Sequence, residues 1–146
     1  MKDDDIIEVL LVEDSEYDAE MALIALQDHN VSNKIHWVKD GQEALDFLFG
    51  EGEYSEREIM NRPKVILLDL KMPKVDGLQV LEAIRKDERT KKIPVVMLTS
   101  SKEEQDVIRS YELGVNSYIV KPVQFDSFSK AVKEIGMYWL LLNHSK

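Results

Sequence analysis

Val65-Ile66-Leu67-Leu68-Asp69-Leu70-Lys71-Met72-Pro73 is the stretch that decides the fold. The run is aliphatic and β-branched and lies between Pro63 and Pro73, which predicts a short strand buried on both faces, as inside a parallel sheet. It ends in a carboxylate. Aspartate is disfavoured in strands and seldom buried unpaired, so Asp69 is either the cap of the next element or a reactive group held at the sheet's edge. In open α/β sheets that edge is where ligands bind.

The same unit recurs along the chain. Ile6-Ile7-Glu8-Val9-Leu10-Leu11-Val12 reads as a second buried strand and stops at Glu13-Asp14. Ser15 then opens a helix, with Asp18 three residues on in the capping-box pattern and Ala19, Ala22, Leu23 and Leu26 on one apolar stripe. Asn30 to Asn33 reads as a turn, and Ile35, Trp37 and Val38 carry a short strand that stops at Asp40-Gly41. Gln42 to Phe49 is helical, with Ala44, Leu45 and Leu48 inward. After the Asp69 strand, Asp76-Gly77 leads into a helix with Leu78, Leu81 and Ile84 at helical spacing. Ile93 to Leu98 is the fourth strand and ends at Thr99. Ser100 and Ser101, each with a glutamate three residues on, start a helix that runs to Leu113, with Gly114 as its stop. Ser117-Tyr118-Ile119-Val120 is the fifth strand, ending at Lys121-Pro122, and Phe125 to Asn143 is the last helix. Five strands alternating with five helices predict an α/β fold, a doubly wound parallel sheet with helices on both faces.

The chain has 146 residues, enough for one domain with a real core and too few for a separate output domain of ordinary size. At 44% hydrophobic and 32% charged it is globular, and no apolar stretch reaches membrane-spanning length. An acidic N-terminus, Lys2-Asp3-Asp4-Asp5, is the wrong start for a signal peptide, so a cytoplasmic location is expected. With no cysteine there are no disulfides, thiolate metal sites or thiol catalysis. A formal charge of −9 argues against nucleic acid as a partner and favours cations and proteins.

Parallel strands bring their C-terminal ends to one edge, where Glu13, Asp14, Asp40, Asp69, Thr99 and Lys121 become neighbours. Three carboxylates, Glu13, Asp14 and Asp69, repel one another unless a cation sits among them. Oxygen donors of this kind suit Mg²⁺ or Mn²⁺. Lys121 and the Thr99 hydroxyl supply a positive charge and a donor, as the oxygens of a transferring phosphoryl group require. An ionised Asp69 can then attack as a carboxylate nucleophile. Each residue taken alone has a plainer role: Glu13, Asp14 and Asp69 as helix caps, Thr99 as a helix-entry residue, Lys121 as a loop lysine. Their coincidence at the ends of strands one, three, four and five is what points to chemistry. The histidines, His29, His36 and His144, fall outside this cluster.

Glu13-Asp14, Asp69 within Leu-Leu-Asp-Leu-Lys-Met-Pro, Asp76-Gly77, Thr99-Ser100-Ser101 and Lys121-Pro122 together resemble the receiver domain of two-component response regulators over nearly the whole chain. The resemblance implies a flavodoxin-like sheet of order 2-1-3-4-5 and a phosphoryl group accepted by Asp69 from a sensor histidine kinase or a phosphotransfer protein. It further implies Mg²⁺ held by Glu13, Asp14, Asp69 and the Lys71 backbone carbonyl, with Thr99 and Lys121 contacting the phosphoryl group. A cis Lys121-Pro122 bond and a switch formed by Thr99 and Tyr118 follow from it as well. Such a protein catalyses only its own phosphorylation and dephosphorylation, and its output is a change in protein binding. Near the site, Lys71 and Ser101 are placed to tune the lifetime of the acyl phosphate.

Two competing chemistries fit less well. Phosphohydrolases of the haloacid dehalogenase type want a second acid two residues after the nucleophile, where this chain has Lys71, and flavin or nucleotide carriers cradle phosphate in a first loop that Glu13-Asp14-Ser15-Glu16 would repel. Two stretches go beyond a minimal receiver. Residues 50–62 are polar and long for a connection, either a continued helix or a surface loop, and resemble the lengthened connection of stand-alone receivers that partner phytochrome-like histidine kinases. In the last helix, Phe125, Phe128, Val132, Ile135 and Trp139 make one stripe, while Met137, Tyr138, Leu140, Leu141 and Leu142 leave its end apolar all round. That end either meets a second copy in a homodimer or folds back on its own sheet.

Overall fold

The computed structural model describes residues 8–27, 34–59, 61–109 and 112–136. Strands β1 (Val9–Val12), β2 (Ile35–Val38), β3 (Val65–Asp69), β4 (Val95–Thr99) and β5 (Ser117–Val120) alternate with helices α1 (Glu16–Gln27), α2 (Gly41–Phe49), α3 (Gly77–Lys86), α4 (Lys102–Arg109) and α5 (Phe125–Glu134). All strand pairs are parallel and the order is β2-β1-β3-β4-β5, as the resemblance implies. The central strands β1, β3 and β4 are buried at every position, which is why they read as continuous apolar runs.

Alternate residues of each strand feed two separate cores. Val9, Leu11, Val65, Leu67, Val96 and Leu98 pack with Ala19, Ala22 and Leu26 of α1 and with Phe128, Ala131 and Val132 of α5. On the other face Leu10, Val12, Ile66, Leu68 and Met97 meet α2, α3 and α4 through Ala44, Phe47, Val80, Ile84 and Ile108. Phe128 is the largest wholly buried side chain; burying it contributes about 1.5–3 kcal/mol and anchors α5 to the sheet.

Helix starts follow their caps. Asp40 accepts from the Glu43 N–H at 2.7 Å, and Asp76 forms a reciprocal capping box with Gln79. Ser15 accepts from the Asp18 N–H at 3.2 Å, but the expected reciprocal bond is not made, because the Asp18 carboxylate is turned toward Lys121. Ser101 caps α4 through the Glu104 N–H at 3.1 Å.

Helix ends differ from expectation in two places. The expected helix from Ser100 to Leu113 is described only to Arg109, and Glu112 stands at φ 51°, which no helix accommodates. The last helix, expected to reach Asn143, ends at Glu134, with Gly136 at φ 75° in the left-handed region where a side chain is disfavoured. Trp139, the apolar residues around it and the homodimer contact read from them lie outside the described residues.

Residues 50–62 do not continue α2. Gly50 closes that helix through a bond to the Asp46 carbonyl, and a 3-10 turn at Gly52–Tyr54 turns the chain back over it. Tyr54 donates to Glu43 Oε2 at 2.7 Å and bonds His36 Nε2 at 2.9 Å, while the Arg57 guanidinium lies 3.9 Å from the centre of the Phe47 ring. The segment is therefore a packed flap on β2 and α2. No helix among the described residues is long and apolar enough to cross a membrane.

Candidate functional site

Four strand ends supply the site. Glu13 follows β1, Asp69 ends β3, Thr99 ends β4 and Lys121 follows β5, so the parallel sheet delivers them to one edge. Glu13 and Asp69 are buried there despite their charge, and Asp14 beside them is exposed. Carboxylate oxygens from all three lie within 4.8 Å of one another, the one such grouping of metal-ligating side chains among the described residues.

Lys121 is the counter-charge. Its Nζ stands 3.1 Å from Asp69 Oδ1, 3.2 Å from Glu13 Oε1 and 3.2 Å from Asp18 Oδ2. Burial alone would lower this ammonium, but Asp69 and Glu13 override it and hold Lys121 above its ordinary value. One cation does not balance the carboxylates. Burial and the Glu13 charge push Asp69 up to about 7, and burial likewise raises Glu13, against the Ser15 N–H and Lys121, which pull it down. The cluster is short of positive charge.

The surroundings fix these groups in place. Trp37 on β2 donates its indole N–H to the Glu13 carbonyl at 2.8 Å, and the Ser15 N–H donates to Glu13 Oε2 at 3.0 Å. Gly77 lets the start of α3 press against the end of β3: its N–H donates to the Leu70 carbonyl at 2.9 Å, and a β-carbon there would collide with the Asp69 carbonyl. The Lys121-Pro122 bond is cis, as expected. Thr99 is fully buried, and its hydroxyl has no hydrogen-bond partner among the described residues, a costly arrangement for a buried donor.

Not every expected neighbour joins the cluster. Asp40 is spent on capping α2. The Lys71 ammonium is largely exposed and pairs with Glu104 Oε2 at 3.0 Å, while Glu104 Oε1 accepts from the Ser100 N–H at 2.8 Å. Tyr118 is half-buried on β5, beside Met97 in the sheet register and under the Arg109 guanidinium. Asp18, Trp37 and Glu104 are the contributors that sequence reasoning missed. Asp18 and Lys121 are 103 positions apart, so no local pattern announces their contact.

Comparison with known proteins gives the same answer independently. Residues 9–133 match the model of the response regulator receiver domain. Response regulator Rcp1 of Synechocystis sp. is 42% identical over 132 residues, covering 90% of this chain and 88% of the relative. The crystal structure of its Mn(2+)-bound form superposes with a TM-score of 0.71 at 39% identity, over 96% of this chain and 97% of that one. The bacteriophytochrome response regulator RtBRR is nearer in structure, with a TM-score of 0.88 at 50% identity over 97% of this chain and 84% of that one. The phosphorylated cyanobacterial phytochrome response regulator RcpA gives 0.71 at 37% identity, over 97% of each chain. A sheet edge of this geometry in a chain matched almost end to end leaves one assignment: the protein belongs to the response regulator receiver domain family and works in phosphorylation-based two-component signalling.

Proposed function

We propose that Asp69 is the phosphoacceptor of a receiver whose output is a change in protein binding. The observation that carries this reading is the buried Thr99 hydroxyl, without a hydrogen-bond partner among the described residues, at the end of the strand next to Asp69, where phosphorylation would bring an acceptor oxygen. In the transfer, an Asp69 carboxylate oxygen attacks phosphorus, the P–N bond of a donor phosphohistidine breaks, and the acyl phosphate forms while the imidazole nitrogen keeps the electron pair. Lys121 turns its ammonium from Asp69 to the incoming phosphoryl oxygens, and Thr99 donates to one of them.

The donor set suits a hard divalent cation, Mg²⁺ or Mn²⁺: oxygen ligands only, with less positive charge than the buried carboxylates need. Glu13, Asp14, Asp69 and the Lys71 carbonyl would hold it. Bound there, the ion would neutralise charge on the phosphoryl oxygens. On this reading the chain needs no separate enzyme to be phosphorylated from a small-molecule donor, and it hydrolyses its own acyl phosphate.

Phosphorylation is read out through Thr99 and Tyr118. Met97 pairs with Tyr118 and Thr99 with Val120, so Thr99 and Tyr118 sit on one face of the sheet as diagonal neighbours. A hydroxyl drawn toward the phosphoryl group leaves room for the ring to turn inward. The donor is a sensor histidine kinase or a phosphotransfer protein, and two similar solved structures, which are named as phytochrome response regulators, favour a phytochrome-like kinase. A docking surface lies beside the site. Tyr17, Met21 and Ile24 are 70%, 39% and 53% exposed and fall at helical spacing along α1, which begins just after the acid cluster.

Intact mass after incubation with acetyl phosphate and Mg²⁺ tests the reading. The wild type gains one phosphate; Asp69→Asn and the wild type in chelator do not. No gain in the wild type, with beryllofluoride also failing to bind, would overturn it.

A further inference from the structure

Tyr118 is held by something that the phosphorylation chemistry does not explain. The Arg109 guanidinium carbon lies 4.7 Å from the centre of its ring, within cation–π range. Tyr118 lines an open cavity of about 630 Å³ between α4, β5 and α5, together with Arg109, Gln105, Ser127 and Lys130. Arg109 closes the described part of α4, where its positive charge also complements the helix's C-terminal dipole, so two interactions favour the position it holds. On the sheet side, Tyr118 shares a face with Thr99, whose hydroxyl has no hydrogen-bond partner among the described residues.

We propose that Arg109 is a clamp that holds Tyr118 in its resting, half-exposed position and so sets how strongly the receiver resists switching. The inference rests on the reading of Thr99 and Tyr118 as a coupled pair. The physical argument is one of differential stabilisation. A ring turned inward leaves the guanidinium, so the cation–π contact stabilises the resting state alone. Removing it moves the equilibrium toward the switched state by about two- to five-fold, the factor that such a contact at a partly exposed site supports. A ligand that selects the switched state then binds tighter by the same factor.

Beryllofluoride with Mg²⁺ is the probe. Trp37, whose indole holds the Glu13 carbonyl, reports occupancy of the acid cluster, and Trp139→Phe removes the other tryptophan from the signal. Arg109→Ala is expected to bind beryllofluoride about three-fold tighter than the parent, while Arg109→Lys, which keeps the charge, shows a smaller gain. In a Tyr118→Ala background Arg109→Ala should change nothing, because the ring that the clamp acts on is gone. Unchanged or weaker binding in Arg109→Ala overturns the clamp, and so does an equal gain with Tyr118 absent. A parent protein that does not respond to beryllofluoride at all overturns the phosphoacceptor reading itself, and is distinguished from a failed clamp by the silence of the unmutated chain.

Discussion

Asp69, the proposed nucleophile, works against the fold in the metal-free protein. Burial and the Glu13 carboxylate raise it from 3.8 to about 7, so between those values the folded chain keeps a proton that the unfolded chain has released. Stability therefore falls as pH rises across that window, and the loss is complete above about pH 7. In chelator, urea unfolding at pH 8 should find Asp69→Asn more stable than the wild type by about 1–3 kcal/mol, with little difference at pH 4. Saturating Mg²⁺ should shrink the gap at pH 8, because the cation stabilises the ionised carboxylates. A gap independent of both pH and Mg²⁺ would mean that Asp69 feels no such crowding. The residue types at the strand ends were readable because each is chemically out of place where an apolar run stops. What held them was not. Trp37 reads as a strand aromatic and Asp18 as half of a capping box, and only the folded sheet reveals that one fixes Glu13 and the other shares Lys121.

At the scale of elements, periodicity and caps located all five strands and the start of every helix, since those signals lie within a few residues of one another. Long-range packing was the part that stayed hidden. Nothing local in residues 50–62 says that Tyr54 returns to His36 and Glu43, which precede it by 18 and 11 positions. His36 lies flat against Phe47, ring centres 4.7 Å apart, and Tyr54 meets both edge-on, so the flap closes an aromatic cluster as well as a hydrogen-bond chain. Burial lowers His36, which keeps it neutral, and burial together with the bond to Glu43 raises the Tyr54 phenol, which keeps it protonated and donating. Tyr54→Phe preserves the rings and deletes the hydroxyl, leaving Glu43 Oε2 and His36 Nε2 short of a partner. It should cost about 1–2 kcal/mol in chemical denaturation while leaving the affinity for beryllofluoride unchanged. A change in that affinity would show that the flap is coupled to the acid cluster at the sheet edge.

On the proposed function the decisive event for the whole molecule is an encounter, because a phosphohistidine on another protein has to reach a buried aspartate on a chain of charge −9. Charge gives an anionic donor little help, so the contact has to come from apolar surface near the edge. Tyr17, Met21 and Ile24 offer such a surface on the outer side of α1, whose inner side is locked to the sheet by Ala19, Ala22 and Leu26. Ile24 is over half exposed and lies in the last turns of the helix, away from Lys121 and the acid cluster, so changing it should leave the chemistry intact. Burying an isoleucine on binding contributes about 1.5–3 kcal/mol, equivalent to roughly ten- to a hundred-fold in affinity. Ile24→Asp should accordingly be phosphorylated by acetyl phosphate within about two-fold of the wild-type rate, yet accept phosphate from a phytochrome-like histidine kinase that serves the wild type at least about ten-fold more slowly at sub-saturating concentration. Equal loss with both donors would trace the defect to the fold of α1. Equal retention would move the docking surface off this helix.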